Sequence, residues 1–330
     1  MTDSTVLVLG ARGRLGQATA RAFAHAGWQV VGQMRPGGVA LPLAGVRWIE
    51  ADPADTAALA ERARGAAVVV NALSPVYTHK VWRREVPRLT YAAIAITHQL
   101  SATLMQPANI YNFGAELPAL LYEDTPQVAA TVKGRLRIES EAQIRSAAGA
   151  GTIRAVVIRA GDFFGSGKGS WLDLVLAKDL PRGRFTYPGP LDLPHAWAYL
   201  PDLARCFVRV AQARAGLPAF ETLHFAGHTL TGNDWADALA DLAREHGWLD
   251  ARGRLRQRTL PWPLLRALGA VVPTFAALAE MRYLWQRPHQ LVATRLQAVL
   301  EPQPHTPFPQ AVWAALADLA LLQRDPLVPA

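Results

Sequence analysis

Residues 6–9, Val-Leu-Val-Leu, form an unbroken apolar run of the kind a strand buried on both faces requires. The run stops at Gly10, two more glycines follow at Gly13 and Gly16, and a helical apolar periodicity then covers residues 17–26 until Gly27 ends it. The same alternation recurs down the chain. Residues 28–34 and 46–50 predict a second and a third strand, residues 54–64 a helix ended by Gly65, and residues 66–70 a fourth, wholly apolar strand. A long helix over 80–98 bent at Pro87, a strand over 101–105, a helix over 128–148 and a strand over 152–158 extend the series. A helix from residue 203, a strand over 221–226 and a helix over 233–245 follow. Strands alternating with helices of this length predict an α/β fold whose parallel, doubly wound sheet carries its ligand at the strands' carboxyl ends. Residues 1–165 with about 203–228 are expected to build that domain, and residues 166–202 and 229–330 a smaller, mostly helical substrate-side lobe.

The glycine turn predicts what the ligand is. Gly10 permits a sharp turn, Gly13 permits close backbone approach to a pyrophosphate, and Gly16 lets the helix lie against its strand. Free N–H groups and the positive helix end favour an anion there, so a dinucleotide is expected across Gly10, Arg12, Gly13, Arg14, Leu15 and Gly16 of a Rossmann-type domain. The spacing is Gly-x-x-Gly-x-x-Gly rather than Gly-x-Gly-x-x-Gly, and the flanking strand and helix supply the context the motif needs. At the end of the second strand, where an NAD site places an acidic residue, the chain has Met34 followed by Arg35. Arg35, with Arg12 as a second guanidinium, suits a 2′-phosphate, so NADP(H) is expected over NAD(H). Asp52 stands where an adenine amino group would be read and also suits a helix N-cap with Pro53 at the first helical position. Asn71, Ala72 and Leu73 close the fourth strand beside the cofactor path.

Composition narrows the setting. A chain of 330 residues, 51% hydrophobic, buries a large core, and its single cysteine, Cys206, excludes an internal disulfide and a cysteine-based zinc cluster. A reducing, cytoplasmic location is the expectation, since Thr2-Asp3-Ser4 leads directly into the first strand without a signal core. The net charge of +8 comes from arginines scattered through alanine- and leucine-rich helices, which argues against a nucleic-acid face. Residues 260–281 are apolar but interrupted by Pro261, Pro263, Arg266, Gly269 and Pro273, so two short packed helices or a pocket lid are expected rather than a membrane span. The nine histidines are dispersed, and none pairs with carboxylates at a ligand spacing, so no metal site is expected. Gly165-Ser-Gly-Lys168-Gly-Ser170 lacks the Walker order and reads as an entrance loop.

The glycine turn, Asp52, Asn71-Ala-Leu, Lys133, the turn from Arg159 to Gly165 and Tyr199-Leu-Pro-Asp202-Leu-Ala follow one another in an order that resembles the extended and atypical short-chain dehydrogenase/reductase superfamily. The resemblance covers roughly residues 5–230 and is nearest to the nucleoside-diphosphate-sugar epimerase/dehydratase branch. It implies that Lys133 hydrogen-bonds the nicotinamide ribose and that a tyrosine four residues earlier exchanges the substrate proton; here that position is Ala129. Asn109 stands at the family's serine or threonine position, where it can donate a hydrogen bond but cannot act as a hydroxyl acid. Tyr111 is the candidate replacement acid, pointing the same way as Asn109 if the backbone is extended; core packing is the plainer reading. His195, Trp197 and Tyr199 alternate, so a strand puts them on one face, either toward a ring or polar substrate or as packed core. Asp162 either contacts cofactor or substrate or caps the next turn. A homodimer through the helices at about 80–98 and 128–148 is implied by analogy. The favoured reading is an NADP(H)-dependent oxidoreductase or epimerase-like enzyme acting on a small or sugar-like carbonyl or hydroxyl compound. The alternative is a non-catalytic NADP(H) sensor, and a membrane- or quinone-linked subunit rests on residues 260–281 alone.

Overall fold

Strand β1 (Thr5–Leu9) sits inside a seven-stranded sheet, where both of its apolar faces are covered. Val6 and Val8 face one buried cluster, with Phe23 and Phe207, while Leu7 and Leu9 face another, with Leu59, Ile96 and Ile144. The computed structural model describes residues 4–322. Around β1 lie β2 (Gln29–Met34), β3 (Val46–Glu50), β4 (Ala66–Asn71), β5 (Thr103–Ala108), β6 (Arg154–Arg159) and β7 (Phe220–His224). All pairings are parallel and the order is β7-β6-β5-β4-β1-β2-β3, so the winding reverses between β1 and β4. Val8 pairs with Val70 and Leu9 with Asn71, which brings the ends of β1 and β4 side by side at that switch point.

Helix α1 (Arg14–His25) packs with α5 (Leu200–Ala213) on one face of the sheet. On the other face lie α2 (Thr56–Arg62), α3 (His79–Gln99) and α4 (Val132–Gly149). Burying a phenylalanine such as Phe23 or Phe207 stabilises this arrangement by about 1.5–3 kcal/mol each. α1 starts at Arg14, three residues earlier than its apolar periodicity indicates, because Gly13 is its extended N-cap. α2 starts at Thr56 rather than at residue 54, and its cap is Asp55, which accepts from Ala58 N. Asp52 instead closes the preceding turn by accepting from Ala54 N at 2.8 Å, and it pairs with Arg88 at 3.1 Å. α4 begins at Val132, not at residue 128, since Thr131 caps it by accepting from Gly134 N at 3.0 Å. Ala129 therefore lies in the loop before the helix, where the backbone crosses so close to Gly114 that a Cβ there would meet Val128 O at 1.9 Å.

The rest of the chain surrounds a second, aromatic core. The short strands Asp162–Phe164, His195–Tyr199 and His228–Leu230 form a three-stranded sheet, and α6 (Gly232–Glu245) is held over it by a Thr231/Asp234 capping box. Phe164, Trp197, Trp235, Trp285 and Phe308 meet there largely edge to face, the geometry that ring quadrupoles favour. Residues 260–281 hold two short helices, Trp262–Leu268 and Pro273–Ala279, packed on each other. Among the described residues no helix is long and apolar enough to cross a membrane.

Candidate active site

The glycine turn is shaped by contacts that a side chain would abolish. Gly10 has φ +70°, and a Cβ on it would lie 3.0 Å from Ala72 O; at Gly16 a Cβ would lie 2.3 Å from Gly10 O. At Gly13 a Cβ would meet only Gly10 O at 3.3 Å, which leaves the start of α1 open on its outer side. Gln33 holds the turn: its Oε1 accepts from Gly10 N at 2.8 Å and its Nε2 donates to Ala51 O at 2.7 Å. A polar residue inside the apolar stretch 28–34 was the signal for it. Ala72 N donates to Leu9 O, so Asn71, Ala72 and Leu73 line the same junction, and Asn71 donates to Gln106 Oε1 while its own Oδ1 is buried without a partner. Leu15 is half-buried against the first core. Arg12 and Arg35 are both exposed at the end of β2, with the Arg12 guanidinium lying over Gly38. Neither is paired with a carboxylate among the described residues.

Arg14 leads from the turn toward the small sheet. Its Nη2 donates to Phe163 O at 3.4 Å, its Nη1 is buried without a partner, and burial lowers its pKa against the pull of Asp173 and Asp162. Asp173 ties down the glycine loop by accepting from Gly169 N, Ser170 N and Ser170 Oγ. Asp162 accepts from, or shares a proton with, His195 Nε2 at 2.9 Å. His195 is stacked on Trp285 at 4.2 Å and touches the buried ring of His289, whose pKa is pushed down to about 3 by burial and then by His195. His195, Trp197 and Tyr199 do share a face, as strand alternation requires, but Trp197 and Tyr199 are buried among core rings. Of the three, His195 is the one whose side chain bonds a carboxylate, that of Asp162.

Tyr111 is placed differently from an extended segment. It starts a short 3-10 helix, Tyr111–Phe113, because Asn109 Oδ1 accepts from Tyr111 N at 3.1 Å and turns the backbone. Its hydroxyl faces that of Tyr77 at 3.5 Å. Burial, and then the Asp162 charge, push the Tyr111 phenol up to about 12, and burial likewise raises the Tyr77 phenol well above its ordinary value. Lys133 is fully buried; its ammonium lies 4.3 Å over the Tyr77 ring, donates to Ala277 O at 2.8 Å and stands 3.9 Å from Glu280. Burial lowers its pKa to about 8, with Glu280 opposing. Glu280 also accepts from Val132 N at 2.6 Å and bonds His79, so the segment after the second short helix is tied to the start of α4. Tyr77, Glu280, Trp285 and His289 carry no signal in the sequence, being joined to this cluster only through distant contacts.

A model of the NAD dependent epimerase/dehydratase family matches residues 6–223. The chain belongs to that family. No curated protein matches the sequence significantly. Solved structures of epimerases share the fold at low identity. The UDP-N-acetylglucosamine 4-epimerase of Bacillus cereus superposes with a TM-score of 0.71 at 13% identity, over 99% of each chain. A UDP-glucose 4-epimerase from Thermotoga maritima, solved with UDP-glucose, gives 0.69 at 12% identity, over 95% of this chain and 98% of that one. The UDP-glucose 4-epimerase of Brucella ovis, solved in complex with NAD, gives 0.62 at 17%, over 82% and 92%.

Proposed function

We propose that this chain binds a nicotinamide dinucleotide across the glycine turn, NADP(H) in preference to NAD(H), and reduces a small or sugar-like carbonyl compound in the cleft below. The observation that carries the cofactor half is the turn itself: an open helix start at the switch point, beside an orphaned Arg14 Nη1 and an orphaned Asn71 Oδ1. These groups fit a pyrophosphate and a ribose or amide edge, and the bound cofactor would supply the hydride. Arg35 and Arg12, exposed together where an acidic residue would select the free ribose, support NADP(H). On the catalytic side, a phenol pushed up to about 12 stays protonated at neutral pH, so Tyr111 serves as a proton donor to a nascent alkoxide and not as a base. Lys133 acts through the Tyr77 ring beneath its ammonium, and the Asp162–His195 pair offers the substrate a fixed polar contact.

A second reading, an NADP(H) sensor without catalysis, is favoured by one observation: Lys133 is spent on Ala277 O and Asn109 Oδ1 on a backbone turn, while Ala129 replaces the family phenol. Calorimetric titration of the ligand-stripped protein with NADPH and NADH tests the cofactor half. Arg35→Ala is expected to weaken NADPH by about tenfold, the effect of one charge-assisted hydrogen bond, and to leave NADH unchanged; failure of both nucleotides to bind the parent protein sinks both readings. NADPH oxidation with a carbonyl panel that is lost in Tyr111→Phe supports the enzyme. Tight NADPH binding with no turnover on the panel leaves the sensor.

A further inference from the structure

Three segments that are far apart in the chain converge at one end of α5. Asp202 lies in the first turn of α5, His228 begins the last strand of the small sheet, and His305 precedes helix Phe308–Asp318. One ligand atom from each lies within 4.8 Å of the others. The spacing of the histidines along the sequence leaves them dispersed; the fold alone brings two of them to a carboxylate. We propose that Asp202, His228 and His305 form a binding site for a first-row divalent transition metal of the zinc type.

Four observations support it. Two imidazoles and one carboxylate are the donor set that such ions take from proteins, and three protein ligands leave a position free for water. His228 is 6% exposed and its Nε2 has no hydrogen-bond partner, although a buried imidazole nitrogen ordinarily has one. Asp202, 1% exposed, is already oriented as ligating carboxylates are: Thr306 N donates to its Oδ2 at 2.6 Å, and Thr306 Oγ1 to its Oδ1 at 2.8 Å. Finally, His305 is exposed and lines a cleft of about 720 Å³, with Gly227, Gln297 and Glu301, through which an ion and its water can enter.

Bonds of about 2.1 Å set tetrahedral donors roughly 3.4 Å apart, so the cluster must contract on binding. The exposed His305 ring, now 4.7 Å from that of His228, is free to make that movement. The competing cation is Arg205, which bonds Asp202 but is half-exposed and can turn to solvent. The bound ion would staple the segment before helix Phe308–Asp318 to α5 and to the small sheet, and this inference stands whether or not a dinucleotide binds.

The test uses the full-length protein dialysed against a chelator and then titrated with Zn(II) by calorimetry and with Co(II) by visible absorption. One Zn(II) per chain and a tetrahedral Co(II) spectrum are expected. His305→Ala, at an exposed position, should weaken Zn(II) by about tenfold or more and leave the metal-free melting temperature unchanged. His228→Gln serves as the second variant, and a loss of the Co(II) spectrum there is expected as well. No uptake by the parent chain, or uptake equal in parent and His305→Ala, overturns the proposal.

Discussion

Lys133 shows how much one side chain's surroundings decide. Its ammonium is sealed from water by Tyr77, Trp82 and the backbone at Ala277, and only Glu280, at 3.9 Å, compensates the charge. Burial therefore lowers its pKa from 10.5 to about 8. Between those two values the unfolded chain holds the proton and the folded chain releases it, so linkage makes stability rise with pH through that window. The contribution is a penalty below pH 8 that fades toward pH 10.5. Lys133→Met keeps the apolar stem and removes the titration. Urea unfolding of the two proteins should thus show a stability difference that shifts toward the wild type by about 1 kcal/mol per pH unit between pH 8 and pH 10. Parallel pH profiles would mean that the ammonium is solvated. From the sequence, Lys133 was legible as a position and not as an environment, because its cover lies 144 residues further along.

At the scale of elements, α4 is held at its start and near its middle by contacts of very different character. Its start is bound by Glu280 through Val132 N. Farther along, Glu141 meets Arg159 of β6 in a buried pair, with Nη2 to Oε2 at 2.5 Å and Nε to Oε1 at 3.3 Å, and Arg159 also reaches Glu123 O and His224. Such a pair adds little over an apolar isostere, yet removing one partner leaves a buried charge unpaired. Glu141→Ala should therefore cost about 3–5 kcal/mol in chemical denaturation, far more than Glu61→Ala, whose exposed pair with Arg64 contributes less than about 1 kcal/mol. Near-equal losses would show that Arg159 finds other partners. The strands were the most legible elements, since a parallel sheet buried on both faces demands unbroken apolar runs. Helix starts were less so: Asp52 reads as the cap of α2, yet the cap is Asp55, whose side chain accepts from Ala58 N, while Asp52 is used on the preceding turn. The 3-10 turn at Tyr111 was hidden because a single Asn109 hydrogen bond creates it.

For the whole molecule, Arg14, Asp162 and His195 stand where the proposed substrate cleft would run between the two cores, and the cores themselves are built by different means. The first relies on aliphatic side chains pressed onto a sheet, the second on rings packed edge to face around Trp197 and Trp235. Periodicity reveals the first kind and not the second, whose contacts join residues 164, 197, 235, 285 and 308 without local pattern. A dinucleotide lying along the glycine turn would lean on Arg14 and the loop that Asp173 secures, and so would couple the sheet to the second core. Binding to the folded chain alone then raises its stability by mass action, about 2.7 kcal/mol at a free ligand concentration one hundred times the dissociation constant. NADPH at that excess should raise the melting temperature by several degrees in a single transition, because both cores unfold together once the cleft is bridged. NADH at the same concentration should do less, and the gap should close in Arg35→Ala, where the proposed 2′-phosphate contact is gone. If instead two transitions appear and NADPH moves only one of them, the cleft contacts do not join the cores, and the ligand is held by the sheet alone.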